Sequence, residues 1–302
     1  MLEIIQNAFL TGNDRSRDWM KVTFPSEDEI AEVSNITKIE KDFLLRRLSP
    51  KSVRPVVQEQ GFLAFHFWVP IHDGNDNEVR LAPLSIFLVP GYFVTLATTK
   101  LEFIDDIILP EAVRRWELIL RISKKISLRY VHLARDLAKK AEAVEAELKT
   151  AQRHHVIYQA LGINDHLLQL DMGLLKLEYV TDEIRSIMPV DSHAFMEEYE
   201  DARIEVRQAR EQVDLEQETL NEIIDAYTYV IHNNVNHIFK FMAAFIIMVS
   251  IPIIVCDSMS MNVPLWGFRS DPWGFTIDVA VLLVLEVIMG WLFYRKGWLT
   301  LE

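Results

Sequence analysis

The sequence predicts a mostly helical protein: an α+β domain with a small antiparallel sheet and helices, then a long stalk helix, then two C-terminal transmembrane helices. Three features carry this reading. Between Pro189 and Pro252 lie 62 residues with neither glycine nor proline, so nothing there ends a helix. Such a helix is roughly 90 Å long, about three times the diameter of a small domain, so its first part must stand outside a membrane that its last part enters. Two apolar stretches close the chain, and between Arg54 and Thr98 the runs are β-branched and aromatic. The expected divisions are 1–189 for the α/β and coiled-coil domain, 190–240 for the stalk and 241–302 for the membrane hairpin.

Pro25-Ser26-Glu27-Asp28-Glu29 reads as a helix start, a serine N-cap with an acidic first turn, leading through Ile30 to Asn35 and on to a second helix around Glu40 to Leu48. Strands are expected over Arg54–Val57, Gly61–Pro70, Glu78–Leu88 and Tyr92–Thr98, bounded by the turn signals Asp73-Gly74-Asn75 and Pro90-Gly91. From Glu111 to Leu161 no glycine or proline occurs, and Leu133, Leu137, Val144 and Leu148 suit one apolar stripe. Gly162 should separate this helix from the next, His166 to Ile187. The stalk continues the pattern from Phe195 and Tyr199 through Ala202, Val206, Ala209 and Val213 to Leu220, Ile223, Tyr227 and Val230. These helices should pack as antiparallel coiled-coil pairs with solvated charged faces.

Phe241 to Cys256 is 16 residues without a charge, about 24 Å of helix against ~30 Å of hydrocarbon. Lys240 can snorkel at one end, and Ser258 to Ser260 can extend the helix at the other. A buried core helix of a soluble protein is the bland alternative, and the second apolar stretch, Thr276 to Tyr294, weighs against it. That stretch stops at the basic tail Arg295-Lys296. Lys240, Arg295 and Lys296 then lie on one side of a hairpin, while its loop carries Arg269 against Asp271, so the positive-inside rule puts both termini in the cytoplasm. Trp266, Phe268, Trp273 and Phe275 suit the opposite interface. Met1 to Met20 lacks the continuous apolar core of a signal sequence, so the bulk of the chain is expected to stay cytoplasmic.

Composition narrows the function classes. A formal charge of −13 argues against a nucleic-acid partner and is compatible with attracting cations. The only cysteine, Cys256, falls in the first span, which excludes an intrachain disulfide and clustered-cysteine zinc sites. No Gly-rich phosphate loop, nucleophile motif or metal-hydrolase helix is present, so no enzyme is expected. His154 and His155 are adjacent on a helix, point about 100° apart and would not chelate together.

Asn233-Asn234-Val235-Asn236-His237-Ile238-Phe239-Lys240-Phe241, Pro252, Met261-Asn262-Val263, the Trp-Gly-Phe before the second span and the final Tyr294-Arg295-Lys296-Gly297-Trp298-Leu299 together resemble the CorA family of magnesium channels. Upstream, Ser52-Val53-Arg54-Pro55, Leu84 to Thr95 and Asp201 to Ala226 extend the likeness over most of the chain. The resemblance implies a homopentamer: five first spans lining a pore, five second spans facing lipid, and a cytoplasmic funnel that senses magnesium. Mg2+ would be both the transported and the regulatory ion, with Co2+ and Ni2+ as further cargo. The family signature is Gly-Met-Asn, usually after an aromatic; here Ser260-Met261-Asn262 follows Met259. The departure alters the pore mouth, while Asn262, whose carbonyl would face a hydrated cation, is retained.

The residues give a separate reason for a pore. Asn236, Ala243, Ser250 and Asp257 are spaced by seven, the period at which one face of a left-handed bundle repeats. All four are small or polar among Phe, Ile, Met and Val. Close packing would be content with Ala and Ser, but Asn236 and Asp257 read better as facing water. Asp225 could add a carboxylate ring at the cytoplasmic mouth, or be an ordinary solvated side chain. By similarity to the family, Glu197, Glu198, Glu200 and Asp201 could face Asp105 and Asp106 of a neighbouring subunit as a regulatory metal site; N-terminal capping of the stalk explains the first acids equally well. Glu286, near the middle of the second span, should be protonated or turned toward the first span. Three functions follow: a divalent-cation channel with magnesium preferred, a zinc transporter resembling the ZntB branch, and a non-conducting paralogue that regulates a true channel.

Overall fold

The computed structural model describes residues 1–6, 8–9, 18–49, 54–72, 79–105, 114–150, 154–187, 193–260 and 273–299. The chain divides into two compact units, Met1–Ile223 and Ile224–Glu302. The first contains strands β1 (Leu2–Ile5), β2 (Asp18–Thr23), β3 (Val56–Glu59), β4 (Phe62–His72), β5 (Val79–Val89) and β6 (Tyr92–Ala97). Its helices are α1 (Glu27–Thr37), α2 (Lys41–Arg47), α3 (Glu102–Asp105), α4 (Arg115–Thr150), α5 (His154–Ile187) and the first part of α6 (His193–Ser260). The second contains the rest of α6 and α7 (Gly274–Arg295).

The expected small sheet forms, but it is mixed. Its order is β1-β2-β6-β5-β4-β3, and β2 pairs parallel to β6 while its other pairs are antiparallel. The N-terminal strands account for the difference. Edge strand β1 carries exposed Glu3 and Ile4, so it gives almost no periodic signal. β2 buries Trp19, Met20 and Val22, and a parallel partner so far along the chain needs a crossover that no local pattern announces.

α1 starts where its cap predicts. Glu29 N donates to Ser26 Oγ at 3.2 Å and Ser26 N donates to Glu29 Oε2 at 3.0 Å, a reciprocal capping box. Ile30, Val33, Ile39 and Leu44 of the α1–α2 pair then cover one side of the sheet, packing on Met20, Val22, Ala64, Phe87, Val94 and Leu96. On the other side Phe65 meets Trp116 of α4 edge-on at 6.1 Å.

Gly162 does not end a helix. Both Gly162 and Gly173 lie inside α5, and the change from α4 to α5 falls at 151–153, outside the described residues. A glycine costs a helix only about 1 kcal/mol, which tertiary packing overrides. Gly173 has a packing reason. A methyl group there would overlap the Tyr130 hydroxyl and stand 2.8 Å from its Cζ. Tyr130 of α4 is fully buried and donates to the Trp68 carbonyl of β4 at 2.7 Å, so three elements meet at a point where only glycine leaves room. The stalk stripe buries Tyr199, Ala202, Val206, Ala209, Val213 and Leu220 as expected, whereas Val230 is exposed.

β4 and β5 face each other at the fully buried pair His66 and Ser85, with His66 Nδ1 and Ser85 Oγ 2.7 Å apart. Burial, and then the nearby Arg47 and Lys176 charges, lowers the His66 pKa to about 3. Because the folded value lies below the unfolded one, the folded state binds fewer protons. Its contribution is therefore complete above the unfolded pKa and is lost as pH falls from there toward 3. The expected slope is up to ~1.4 kcal/mol per pH unit. Denaturant unfolding of wild type and His66→Gln at mildly acidic and neutral pH checks it; an identical pH slope in both would rule out this histidine as its source.

Candidate pore-lining helix and membrane hairpin

α6 and α7 are the two helices, among the described residues, long and apolar enough to cross a membrane. Their most apolar windows have mean hydropathy 2.5 and 2.1, yet only 6% of the first and none of the second is buried. A soluble core helix would hide such a window, so the bland reading of these stretches fails.

The buried minority defines how the hairpin packs. Ala244 on α6 is fully buried and Phe293 on α7 is 6% exposed. A methyl at Gly290 would stand 3.8 Å from Met248 Cε, in ordinary contact. His237, Phe241, Ala244, Met248, Ile251 and Val255 thus form the less exposed stripe of α6, and Asp278, Leu282, Glu286, Gly290 and Phe293 that of α7. Steps of three and four residues make each stripe one helix face. Both acids of the second span lie on the stripe, and Glu286 Oε1 is enclosed without a hydrogen-bond partner.

Asn236, Ala243, Ser250 and Asp257 occupy a different face. Asn236, Ala243 and Asp257 are exposed and Ser250 is half-buried. Ala243 precedes buried Ala244, and adjacent helical positions differ by about 100°, so this row is turned well away from α7. Close packing within the chain does not explain it. The Ser250 hydroxyl donates to the Ile246 carbonyl at 2.7 Å and the Ser260 hydroxyl to the Asp257 carbonyl at 2.7 Å, which leaves their oxygen lone pairs as acceptors. Met261 and Asn262 lie outside the described residues. Asp225 is exposed on α6. At the far end of α7, Arg295 lies over the Trp291 ring at 5.3 Å, Lys296 lies over Trp298 at 5.8 Å, and Gly297 takes the left-handed conformation (φ 68°) that stops the helix.

Glu198, Glu200 and Asp201, near the start of α6, are ion-paired. Lys124 of α4 reaches Glu198 at 3.3 Å and Asp201 at 3.5 Å, and Glu200 meets Arg185 at 3.7 Å and Arg203 at 3.6 Å. Further along, Arg210 bridges Asp171 at 3.4 Å and Glu178 at 2.9 Å, which raises its own pKa. Burial, and then the charge of Asp171, raises the pKa of Asp214 beside them. Of the acids expected opposite Asp201, Asp105 ends α3 and Asp106 lies outside the described residues. His155 Nε2 is 3.6 Å from Glu147. No group of three or more His, Cys, Asp or Glu among the described residues is arranged to hold a metal.

A sequence profile of the CorA-like Mg2+ transporter proteins matches residues 15–295. The chain belongs to the CorA family. It is therefore a divalent-cation transporter of a membrane-embedded family, and that family is one of transporters rather than enzymes. The CorA-family chain is 18% identical to a cobalt/magnesium transport protein CorA of Methanocaldococcus jannaschii over 93% of its own length and 91% of the relative's. The complete structure of a CorA magnesium transporter from that organism superposes with a TM-score of 0.77 at 18% identity, covering 96% of this chain and 93% of the other. The full-length CmaX protein gives 0.64 at 15% identity over 92% and 88% of the two chains. The cytoplasmic domain of ZntB from Vibrio parahaemolyticus gives 0.57 at 11% identity over 72% and 88%. At these identities the superpositions carry the fold.

Sequence reasoning missed Lys124. It reads as one more charge in a helical run, and only the packing of α4 beside α6 brings it to Asp201. Gly290 was also silent, although a glycine in an otherwise large-residue span is the usual sign of a close helix contact.

Proposed function

We propose that this CorA-family chain is one subunit of a Mg2+ channel in the cytoplasmic membrane, assembled as a homopentamer. Five copies of α6 line the pore, with Asn236, Ala243, Ser250 and Asp257 turned to water and Ser260-Met261-Asn262 at the mouth. The observation that carries this reading is the uncovered row on α6, whose polar ends have no use in packing against α7. Mg2+ holds its water strongly, so amide, hydroxyl and carboxylate rings that touch the hydrated ion suit it. Residues 1–189 form the funnel wall, 190–240 the stalk and 241–302 the span pair, whose α7 faces lipid. Lys240, Arg295 and Lys296 support cytoplasmic termini.

Mg2+ uptake into proteoliposomes tests the function, and Asp257→Asn tests the row. The variant is expected to lower divalent flux roughly tenfold, because a ring of carboxylates concentrates cations at a narrow entrance. Unaltered flux would remove the carboxylate ring from the mechanism.

Regulation belongs to the same reading. Asp201 of one subunit, with Asp105 and Asp106 of its neighbour, binds cytoplasmic Mg2+, which must compete with Lys124 for Asp201. Mg2+ then orders the funnel by relieving repulsion among acids. Protease cleavage of the soluble part should slow as Mg2+ rises, and cleavage indifferent to Mg2+ would dispose of the sensor.

Ser260, where the family has glycine, and the likeness to a ZntB cytoplasmic domain favour a second reading, a Zn2+ transporter. Zn2+ uptake without Mg2+ uptake in the same vesicles selects it. Failure of this chain alone to rescue a magnesium-transport-deficient cell, together with silent vesicles, points instead to a non-conducting regulatory paralogue.

A further inference from the structure

Pro252 lies inside α6. Proline has no N–H, so the Met248 carbonyl four residues earlier loses its intrahelical donor. In hydrocarbon no water replaces it, and an unpaired carbonyl is costly. On α7, Glu286 Oε1 is enclosed by protein and has no hydrogen-bond partner. One helix thus lacks a donor where the other holds an unpartnered carboxyl group.

The register brings the two together. Gly290 packs against Met248, and Ala244 and Phe293 are buried one turn further toward the cytoplasmic ends, so the helices run antiparallel through this contact. Glu286 is four residues from Gly290, on the same face and one turn toward the Ser260 end of α6. Carbonyls of a helix point along the chain toward its C-terminus, so that of Met248 is directed to the level of Glu286.

We propose that Glu286, as the neutral acid, donates a hydrogen bond to the Met248 carbonyl and so holds the proline-interrupted part of α6. The level follows from the Gly290–Met248 contact, and Glu286 shares the face of Gly290. Glu286 is then a positioning residue for the pore-lining helix, and this rests on the channel reading above. It touches no ion. A carboxylate in the same place would have two acceptors against a third, so the bond requires the proton.

The test uses the full-length protein in liposomes. Infrared difference spectra between wild type and Glu286→Gln should show the C=O stretch of a protonated carboxyl group. This arm needs no transport, so it speaks to the bond even if the protein conducts nothing. In flux, Glu286→Gln should match wild type because an amide also donates, whereas Glu286→Leu should lose about tenfold, the worth of one buried hydrogen bond. Pro252→Ala restores the donor to Met248, so Glu286→Leu should cost nothing further in that background. Absence of the acid band overturns the proposal, and so does wild-type flux in Glu286→Leu or additive losses in the double variant.

Discussion

Asn262→Ala is expected to abolish cation uptake while leaving the oligomer intact. Asn262 follows Ser260, the last described residue of α6, by two positions in the sequence. Its amide is the polar group the resemblance assigns to the mouth, where a cation arrives with its water and must be held without being stripped. Among the described residues the contact of α6 with α7 runs through Ala244, Met248, Gly290 and Phe293. Loss of uptake by at least a hundredfold with an unchanged sedimentation profile is the expected pair of results. A stable variant that transports at the wild-type rate would remove Asn262 from the mechanism, and a variant that dissociates would make it an assembly residue instead.

Gly173→Ala should destabilise the soluble unit by ~3 kcal/mol or more, the sum of overpacking a closed core and breaking a buried hydrogen bond. The added methyl overlaps the Tyr130 hydroxyl, which has no other place to go while it donates to the Trp68 carbonyl. Tyr130→Phe alone should cost about 1 kcal/mol. In the double variant the missing hydroxyl relieves part of the overlap, so its loss should be smaller than the sum of the two. Equal stability of wild type and Gly173→Ala in urea unfolding would mean that α4 and α5 can part without penalty at this level.

The helix start at Ser26 was legible because every part of a capping box lies within four residues. The burial of Tyr199 through Leu220 was legible because it repeats every three or four. What stayed hidden depends on partners distant in sequence. β2, six residues of mixed polarity, does not announce its pairing with β6, and Gly162 looks like a stop although the helix runs through it. The hairpin shows both cases. Its two candidate spans follow from length and hydropathy, and the sequence left Glu286 either protonated or turned toward the first span, but Gly290 and the register it sets required coordinates. For the candidate site, the shared face of Asn236, Ala243, Ser250 and Asp257 follows from their spacing, whereas the engagement of Asp201 by Lys124 does not, since no periodicity links residue 124 to residue 201.

The parallel pairing of β2 with β6 also sets a schedule for synthesis. Asp18 pairs with Tyr92, so about 74 residues separate the partners. At ribosomal rates β2 waits roughly 4–15 s after its own emergence before β6 is available. During that interval β1 can close one edge of β2 and the α1–α2 region can cover Met20 and Val22, but Trp19, whose ring meets Phe93 and whose N–H donates to Thr95 in the finished sheet, lacks both β6 partners. β2 is therefore made well before its sheet can be completed, and one of its edges stays unpaired for that interval.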